Sequence, residues 1–200
     1  MEPIVLASGS PRRQEYFRLL GLPFSVEPAM IDEEFRETDE PRKIAEDLAL
    51  KKALHVAGRM QAQKPLWVFG ADTIVVADSG IFGKPTDRGD AKQMLQRLAG
   101  REHEVISAMA LWKGREQKAN CRSADCRSTS CRVTFAPMSG PEIEWYLDSE
   151  EWQGAAGAYR LQGLAACFIS RVTGAPSTVV GLPLRDFYVM LRDNGYPFGA

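Results

Sequence analysis

The sequence predicts an α/β fold, and three observations point to it. Segments with strand-like and helix-like patterns follow one another along the chain. A short apolar strand at 4–7 turns directly into a helix, and a longer apolar run at 66–77 carries an acidic residue in its middle. Because 44% of the 200 residues are hydrophobic, the chain can build a substantial core, and we expect one domain over residues 1–200.

The turn after the first strand has the features of an anion-binding site. Ser10 suits the residue that caps a helix, and Pro11 suits the first helical position. The backbone amides at such a helix start point outward, here beside the guanidinium groups of Arg12 and Arg13. Phosphate fits this geometry, although an ordinary surface helix with solvated arginines fits the same residues.

The next elements introduce an acidic cluster. A helix from Arg12 to Leu20 ends at Gly21, and a strand is expected at 24–26. The acids at 32–34 follow, and they either supply metal ligands or form a solvated turn.

The helix expected over residues 41–58 places a lysine among apolar side chains. Ala45, Ala49, Lys52 and Val56 form one stripe, with spacings of four, three and four. Lys52 therefore either extends its ammonium group from the edge of the core or serves an active site.

A strand is expected over residues 66–77, interrupted by Asp72 and Thr73. An acid in such an apolar run is costly to bury unless it is paired, hydrogen-bonded or bound to metal, so a functional role is favoured. A turn at 78–80 would return the chain alongside the strand, where Lys84 can meet Asp72. On its own, Lys84 also fits a solvated loop.

The second half of the chain alternates helices and strands in the same way. The expected elements are a helix at 88–99 capped by Asp87, a strand at 103–112, a partner strand that ends at Phe135, a helix at 142–147 with a Ser139–Glu142 capping box, a small-residue segment at 154–163, and a helix from 181 to 191.

Composition excludes several classes of protein. The net charge of −1 gives no basic field for nucleic acid or an anionic membrane surface. No apolar run reaches transmembrane length, and the opening Glu2-Pro3 does not suit a secretory signal. We expect a cytoplasmic protein with no membrane and no nucleic-acid partner.

Three of the four cysteines, Cys121, Cys126 and Cys131, recur every five residues. Zinc sites usually space their paired ligands two to four residues apart and need a fourth donor, so reduced thiols on or near a strand are the favoured interpretation. Cys167 is expected to be a small core residue.

Several short motifs occur together and in a recognisable order. The chain resembles the Maf family of nucleoside triphosphate pyrophosphatases across nearly its whole length. The matching motifs are LASGSPRR at 6–13, GADT at 70–73, GKP at 83–85, AGAY at 156–159, QG at 162–163 and VVGLP at 179–183.

The resemblance implies a mixed, twisted sheet flanked by helices, with two lobes around a cleft, as in inosine triphosphate pyrophosphatases. It also implies hydrolysis of a nucleoside triphosphate to the monophosphate and pyrophosphate without a covalent nucleophile. A divalent cation, Mg²⁺ or Mn²⁺, would be held by Glu33 and Asp72. A homodimer is one assembly left open.

The resemblance further implies roles for individual residues. Asp72 would orient or deprotonate the attacking water, with Glu33, Lys52 and Lys84 as the other catalytic residues. Arginine, threonine and glutamine at the positions of Arg12, Thr73 and Gln162 are typical of the branch that acts on dTTP and UTP. The expected substrate-binding residues are Ser8, Ser10, Arg12, Arg13, Thr73 and Gln162.

The sequence departs from the family pattern at Gly154-Ala155, where Asp-Lys is usual, and at Ser107-Ala108, where Thr-Gly is common. A non-catalytic nucleotide-binding regulator of septum formation is the alternative function. A serine hydrolase built from Ser8, His103 and Asp72 is disfavoured because no Gly-x-Ser-x-Gly turn is present, and His103 is instead expected to be a hydrogen-bonded strand residue.

Overall fold

Seven strands form one mixed sheet in the computed structural model, which describes residues 1–32, 40–60, 67–78, 80–114 and 124–198. Their positions follow the apolar runs of the sequence closely. Within these ranges the strands are β1 (Ile4–Leu6), β2 (Phe24–Val26), β3 (Trp67–Ala77), β4 (Gly80–Phe82), β5 (Glu102–Lys113), β6 (Ala124–Phe135) and β7 (Ile169–Thr173).

Helices alternate with these strands. Four begin within two residues of the predicted starts at 12, 41, 88 and 142, whereas the helix expected from Gly181 begins at Leu184 and a short helix at 176–180 was not predicted. Asp87 accepts a hydrogen bond from the Asp90 amide, and Ser139 and Glu142 form both halves of a capping box. The α-helices of the described ranges are α1 (Pro11–Leu19), α2 (Pro41–Arg59), α3 (Arg88–Leu98), α4 (Gly140–Asp148), α5 (Pro176–Val180) and α6 (Leu184–Asp193).

The sheet is mixed, as expected from the family resemblance. The strand order is β2-β1-β3-β5-β6-β7, with β4 paired to β3. β1 runs parallel to both β2 and β3, with Ile4 opposite Phe24 on one side and Trp67 on the other. The β3–β4 and β6–β7 pairs are antiparallel, so the predicted hairpin after β3 is confirmed.

The chain divides into two compact units, in agreement with the expected two lobes. The first unit comprises residues 1–72, 107–129 and 181–200, and the second comprises residues 73–106 and 130–180. The unit boundary therefore falls within β3, between Asp72 and Thr73. The cleft that the family resemblance implies stays a prediction.

Helices cover both faces of the sheet in the first unit. Successive side chains of β1 project to opposite faces, and each face packs against different helices. Ile4 and Leu6 belong to a core cluster with residues of α1 and α6, whereas Val5 packs with residues of α2. All three side chains are buried. Burial of an aliphatic side chain of this size stabilises the fold by about 1.5–3 kcal/mol.

The second unit has its own core. Ala91, Leu95 and Leu98 of α3 are fully buried and pack with Tyr146 and Leu147 of α4.

His103 and Tyr159 form a buried polar contact within the second-unit core. The His103 Nε2 and Tyr159 Oη atoms lie 2.8 Å apart, which confirms His103 as a hydrogen-bonded strand residue. Both rings pack against Phe135. Burial lowers the pKa of His103 to about 4, so the imidazole is neutral at physiological pH.

Two expectations about individual segments are wrong. β3 runs without a break through Asp72 and Thr73, because an extended backbone can carry an acid whose charge has a partner. Cys167 is exposed, since the segment 164–168 forms a 3-10 helix that buries only Ala165 and Phe168.

Gly70 marks the closest approach between α2 and β3. A Cβ atom at this position would lie 2.7 Å from the Ala53 amide nitrogen and would also collide with the Ala49 carbonyl oxygen. Both obstructing atoms belong to helix backbone, which cannot rotate away as a side chain can. The helix can lie this close to the strand only because residue 70 lacks a side chain.

Replacing Gly70 with Ala should therefore force α2 away from β3 and lower the free energy of unfolding by about 3 kcal/mol. Gly58→Ala is the matched control. Gly58 lies in α2, the helix that packs against Gly70, and an added Cβ atom there would have no atom within 4 Å. This control should be neutral or stabilising by up to about 1 kcal/mol. Urea denaturation of both variants measures the difference, and equal midpoints would contradict the close approach.

Candidate functional site

A buried ion pair between α2 and β3 is the centre of the candidate site. Lys52 Nζ donates to Asp72 Oδ1 over 2.5 Å, and both residues are only 7% exposed. The sequence stripe that carries Lys52 is buried as predicted. Pairing with Asp72 explains how a lysine can lie on this face of the helix.

Small residues on α2 bring the two charges together. Ala45, Ala49 and Ala53 are fully buried, and Gly70 lies against the backbone of Ala49 and Ala53. A helix with larger side chains on this face would stand further from the strand. The apolar packing thus sets the distance that the charged pair spans.

The turn between β1 and α1 is held by Arg13 rather than by a capping side chain. Ser10 occupies the N-cap with an extended backbone, but its side chain makes no cap hydrogen bond. Arg13 is buried, and its Nη1 and Nε atoms donate to Ser8 Oγ and to the Gly181 carbonyl oxygen, each over 2.9 Å. The Ser10 amide also donates to Ser8 Oγ over 3.3 Å.

These contacts distinguish the two arginines of the motif. Arg13 connects the turn to Gly181, three residues before α6, and its hydrogen bond to Ser8 Oγ fixes the Ser8 side chain. Arg12 is half-exposed in the first turn of α1. This turn contains no acidic residue that would repel a bound anion. The predicted anion-binding geometry therefore consists of a helix start, the Ser8 hydroxyl and the Arg12 side chain.

Thr73 and Lys84 belong to the second unit. Thr73 is half-buried and directly follows Asp72, and successive side chains of a strand project to opposite faces. Lys84 is exposed two residues after Phe82, which pairs with Val75 of β3. A meeting of Lys84 with Asp72 stays a prediction.

The GKP and AGAY motifs are joined within the second unit. The Gly157 amide donates to the Gly83 carbonyl oxygen over 3.0 Å, and Gly157 also lies against the Val75 side chain. Two motifs that lie far apart in sequence therefore meet beside β3. Gln162 follows shortly after this contact and is exposed.

The metal predictions are tested only in part by the described residues. Glu33 lies outside them, so the expected Glu33–Asp72 pair cannot be described. Among residues 1–32, 40–60, 67–78, 80–114 and 124–198, no group of three His, Cys, Asp or Glu residues could hold a metal ion by itself. Asp72 is the described residue of the expected pair, and the metal site stays a prediction.

The cysteines follow the favoured interpretation where they are described. Cys126 and Cys131 lie on β6 as free thiols, with Sγ atoms that donate to the carbonyl oxygens of Glu46 and Thr173. Burial raises the pKa of the Cys126 thiol to about 11. Cys121 lies outside the described residues.

Sequence reasoning missed two residues, one in each unit. The Gly181 carbonyl oxygen accepts a hydrogen bond from the buried Arg13 side chain, and the VVGLP motif was the only sequence signal for Gly181. Glu151 accepts a hydrogen bond from the Leu164 amide next to Gln162, and no sequence pattern indicated this contact.

Within the described part of the chain, the helices are too short or too polar to cross a membrane.

Comparisons with known proteins agree on one family. The model of the Maf family, described as "Maf-like protein", matches residues 3–194. A dTTP/UTP pyrophosphatase of Symbiobacterium thermophilum is 43% identical over 98% of this chain and 96% of its own, and one of Hahella chejuensis is 44% identical over 96% and 92%. In fold, the chain is similar to a HAM1 protein from Coxiella burnetii, with a TM-score of 0.52 at 17% identity over 96% of this chain and 100% of that one.

Replacing Lys52 with Met should lower the free energy of unfolding by about 3–5 kcal/mol, because it leaves the buried Asp72 carboxylate without its cation. The double variant Lys52→Met/Asp72→Asn should recover more than half of that loss, since the uncompensated charge is gone. Lys51→Met is the control, because Lys51 is the exposed neighbour on α2 and its loss should cost less than about 0.5 kcal/mol. Chemical denaturation of these variants and of the single variant Asp72→Asn measures the losses, and a double variant whose loss equals the sum of the two single losses would contradict the pairing.

Proposed function

Because the chain belongs to the Maf family, we propose that it is a nucleoside triphosphate pyrophosphatase that hydrolyses UTP and dTTP to the monophosphate and pyrophosphate. The names of the relatives support the reaction and the two substrates, and the family match runs through both units. A single catalytic domain that acts in the cytoplasm is part of this proposal, and a homodimer stays a prediction.

The observation that carries the proposal is the buried Lys52–Asp72 pair. A protein that only binds nucleotide has no need of a charged pair inside its core, where each charge is costly to desolvate. In the proposed reaction, Asp72 orients the attacking water or takes its proton. Lys52 holds the carboxylate in place and compensates negative charge as the phosphoanhydride bond breaks.

Phosphate binding is proposed for the turn between β1 and α1. The amides at the start of α1, the Ser8 and Ser10 hydroxyls and the Arg12 guanidinium group are donors of the type that phosphate oxygens accept. Arg13 supports this arrangement because its side chain donates a hydrogen bond to Ser8 Oγ. Lys84, which is exposed, would compensate charge on the leaving pyrophosphate.

A divalent cation is proposed as the cofactor, Mg²⁺ or Mn²⁺. Asp72 and Glu33 would hold it together with phosphate oxygens of the substrate, in keeping with the few protein carboxylates that Mg²⁺ commonly uses. When bound, the ion would offset the negative charge of the triphosphate. Asp72 remains the residue that positions water in either case.

Base selection is proposed for Gln162, with Thr73 contributing a hydroxyl group. A glutamine amide offers both a donor and an acceptor, so it can match the adjacent carbonyl and imide N–H of uracil or thymine. Cytosine lacks the imide proton and would leave the amide oxygen unpaired. An exposed side chain such as Gln162 is accessible to a base.

Asp72→Asn should lower kcat for UTP by about 10²- to 10⁴-fold, because the amide cannot take a proton from water. The substitution should lower the free energy of unfolding, because the buried Lys52 ammonium group loses its anion. Fold and nucleotide binding should still be retained, since the asparagine oxygen can accept a hydrogen bond from Lys52. Asp78→Asn is the matched control: Asp78 lies just after β3 with φ +50°, a conformation that Asn tolerates, and its carboxylate pairs with Arg101 on the surface. A pyrophosphate-release assay with calorimetry of binding measures both variants. Wild-type protein that binds UTP without turnover would instead support the non-catalytic regulator.

Wild-type protein should hydrolyse UTP and dTTP in preference to CTP, ATP and GTP, with little effect of the 2′-hydroxyl group. Gln162→Glu should reduce this preference, because a carboxylate keeps the acceptors and loses the donor. Gln96→Glu is the control, an exposed position on α3 of the second unit with the same change of charge. Steady-state kcat/KM values over the five nucleotides test the assignment. A purine nucleotide with the highest value would contradict pyrimidine selection and leave the pyrophosphatase proposal intact.

A further inference from the structure

Gln162 lies in a tight turn whose ends are joined by a backbone hydrogen bond. The Gly163 amide donates to the Arg160 carbonyl oxygen over 3.1 Å, so Gln162 is the third residue of a four-residue turn. The side chain points from a short, exposed segment rather than from a helix or strand. The direction of the Gln162 side chain therefore depends on the contacts that fix the backbone of this turn.

Glu151 holds the end of this turn. Its Oε2 atom accepts a hydrogen bond from the Leu164 amide over 2.8 Å. The same carboxylate lies against Gly163, where an added Cβ would be 2.6 Å from Glu151 Cδ. The absence of a side chain at residue 163 allows the carboxylate to close on the backbone next to Gln162.

The beginning of the turn is held by two other contacts. Arg160 Nη2 donates to the Gln153 carbonyl oxygen over 2.7 Å. Tyr159, the residue before the turn, is buried and contacts His103 through its hydroxyl group. The start of the turn is fixed in the core. At its other end, Ala165 is buried and the Ala166 amide donates to the Gly163 carbonyl oxygen, and the Glu151 carboxylate is the side chain that binds the backbone directly after Gln162.

We propose that Glu151 is a positioning residue for base selection, acting through the turn that carries Gln162. This inference rests on the proposed pyrophosphatase function. Glu151 does not contact the base. Its carboxylate fixes Gly163 and Leu164, and the Gln162 amide is thereby presented at a set distance and angle.

Selectivity should depend on this contact more strongly than turnover does. A hydrogen bond between an amide and a base edge weakens steeply when donor and acceptor move apart or bend. The groups proposed to bind phosphate, at the start of α1 and in the Lys52–Asp72 pair, are not part of this turn. Loss of Glu151 should therefore change how bases are distinguished and leave the reaction step largely intact.

Glu151→Ala should lower the ratio of kcat/KM for UTP to kcat/KM for CTP by about tenfold, mainly through a higher KM for UTP. Glu151→Gln should stay within about threefold of wild type, because its carbonyl oxygen can still accept from the Leu164 amide. Glu144→Ala is the matched control, the same substitution on the surface of the second unit, where it removes ion pairs to Arg88 and Lys92. It should leave the UTP-to-CTP ratio unchanged.

Gly163→Ala provides an independent test of the same contact. The added methyl group must displace the Glu151 carboxylate, while the backbone at φ −113° accepts alanine without strain. Gly163→Ala should therefore reproduce the loss of selectivity seen in Glu151→Ala. The double variant should be no less selective than either single variant, because both substitutions remove one interaction.

The outcomes separate this inference from the proposed function. Wild-type selectivity retained in Glu151→Ala, or an equal loss of kcat/KM for all nucleotides, would overturn the positioning role and leave the pyrophosphatase proposal standing. Additive effects of Glu151→Ala and Gly163→Ala would also overturn it. A wild-type protein without turnover of any nucleotide would contradict both.

Discussion

The first unit is organised around the requirement that two buried charges stay in contact. Desolvating a carboxylate or an ammonium group costs several kcal/mol, and only a close partner offsets that cost. Lys52 and Asp72 meet this requirement over 2.5 Å, which fixes the position of α2 along β3. The alanines of the helix stripe and the bare Gly70 backbone follow from the same requirement, because a wider spacing would separate the pair.

The two units carry different parts of the proposed chemistry. The first contains Ser8, Arg12 and the Lys52–Asp72 pair, which are suited to a triphosphate and to water. The second contains the Gln162 turn, suited to a base, together with Lys84. In the first, the candidate residues lie at a helix start and in the core, whereas the turn in the second is held by a few specific contacts. Under this proposal, a change of base preference is possible without disturbance of the Lys52–Asp72 pair.

Most elements were predictable because local chemistry fixes them. The capping residues Asp87 and Ser139, and the short apolar strand β1, are visible in sequence and are confirmed. The continuity of β3 through Asp72 was not predictable, since it depends on a cation that lies 20 residues earlier in the chain.

The site was predictable to a smaller extent. The motifs identified Ser8, Arg13, Lys52 and Asp72 as notable residues, and the ion pair gives Lys52 a partner. The contact of Arg13 with Gly181 joins residues 168 positions apart, and that of Glu151 with Leu164 connects a side chain to a backbone amide. Neither kind of contact leaves a periodic pattern, so neither could be read without the fold.

The buried imidazole of His103 also links proton concentration to the folding of the second unit. In an unfolded chain the imidazole has a pKa of 6.5, whereas in the folded protein burial lowers it to about 4. Between these values unfolding takes up a proton, so acid favours the unfolded form. The contribution of His103 to stability is complete above pH 6.5 and is lost as the pH falls through about 4. Acidification thus acts on the stability of the second-unit core through the cost of burying a charged imidazole beside Tyr159 and Phe135.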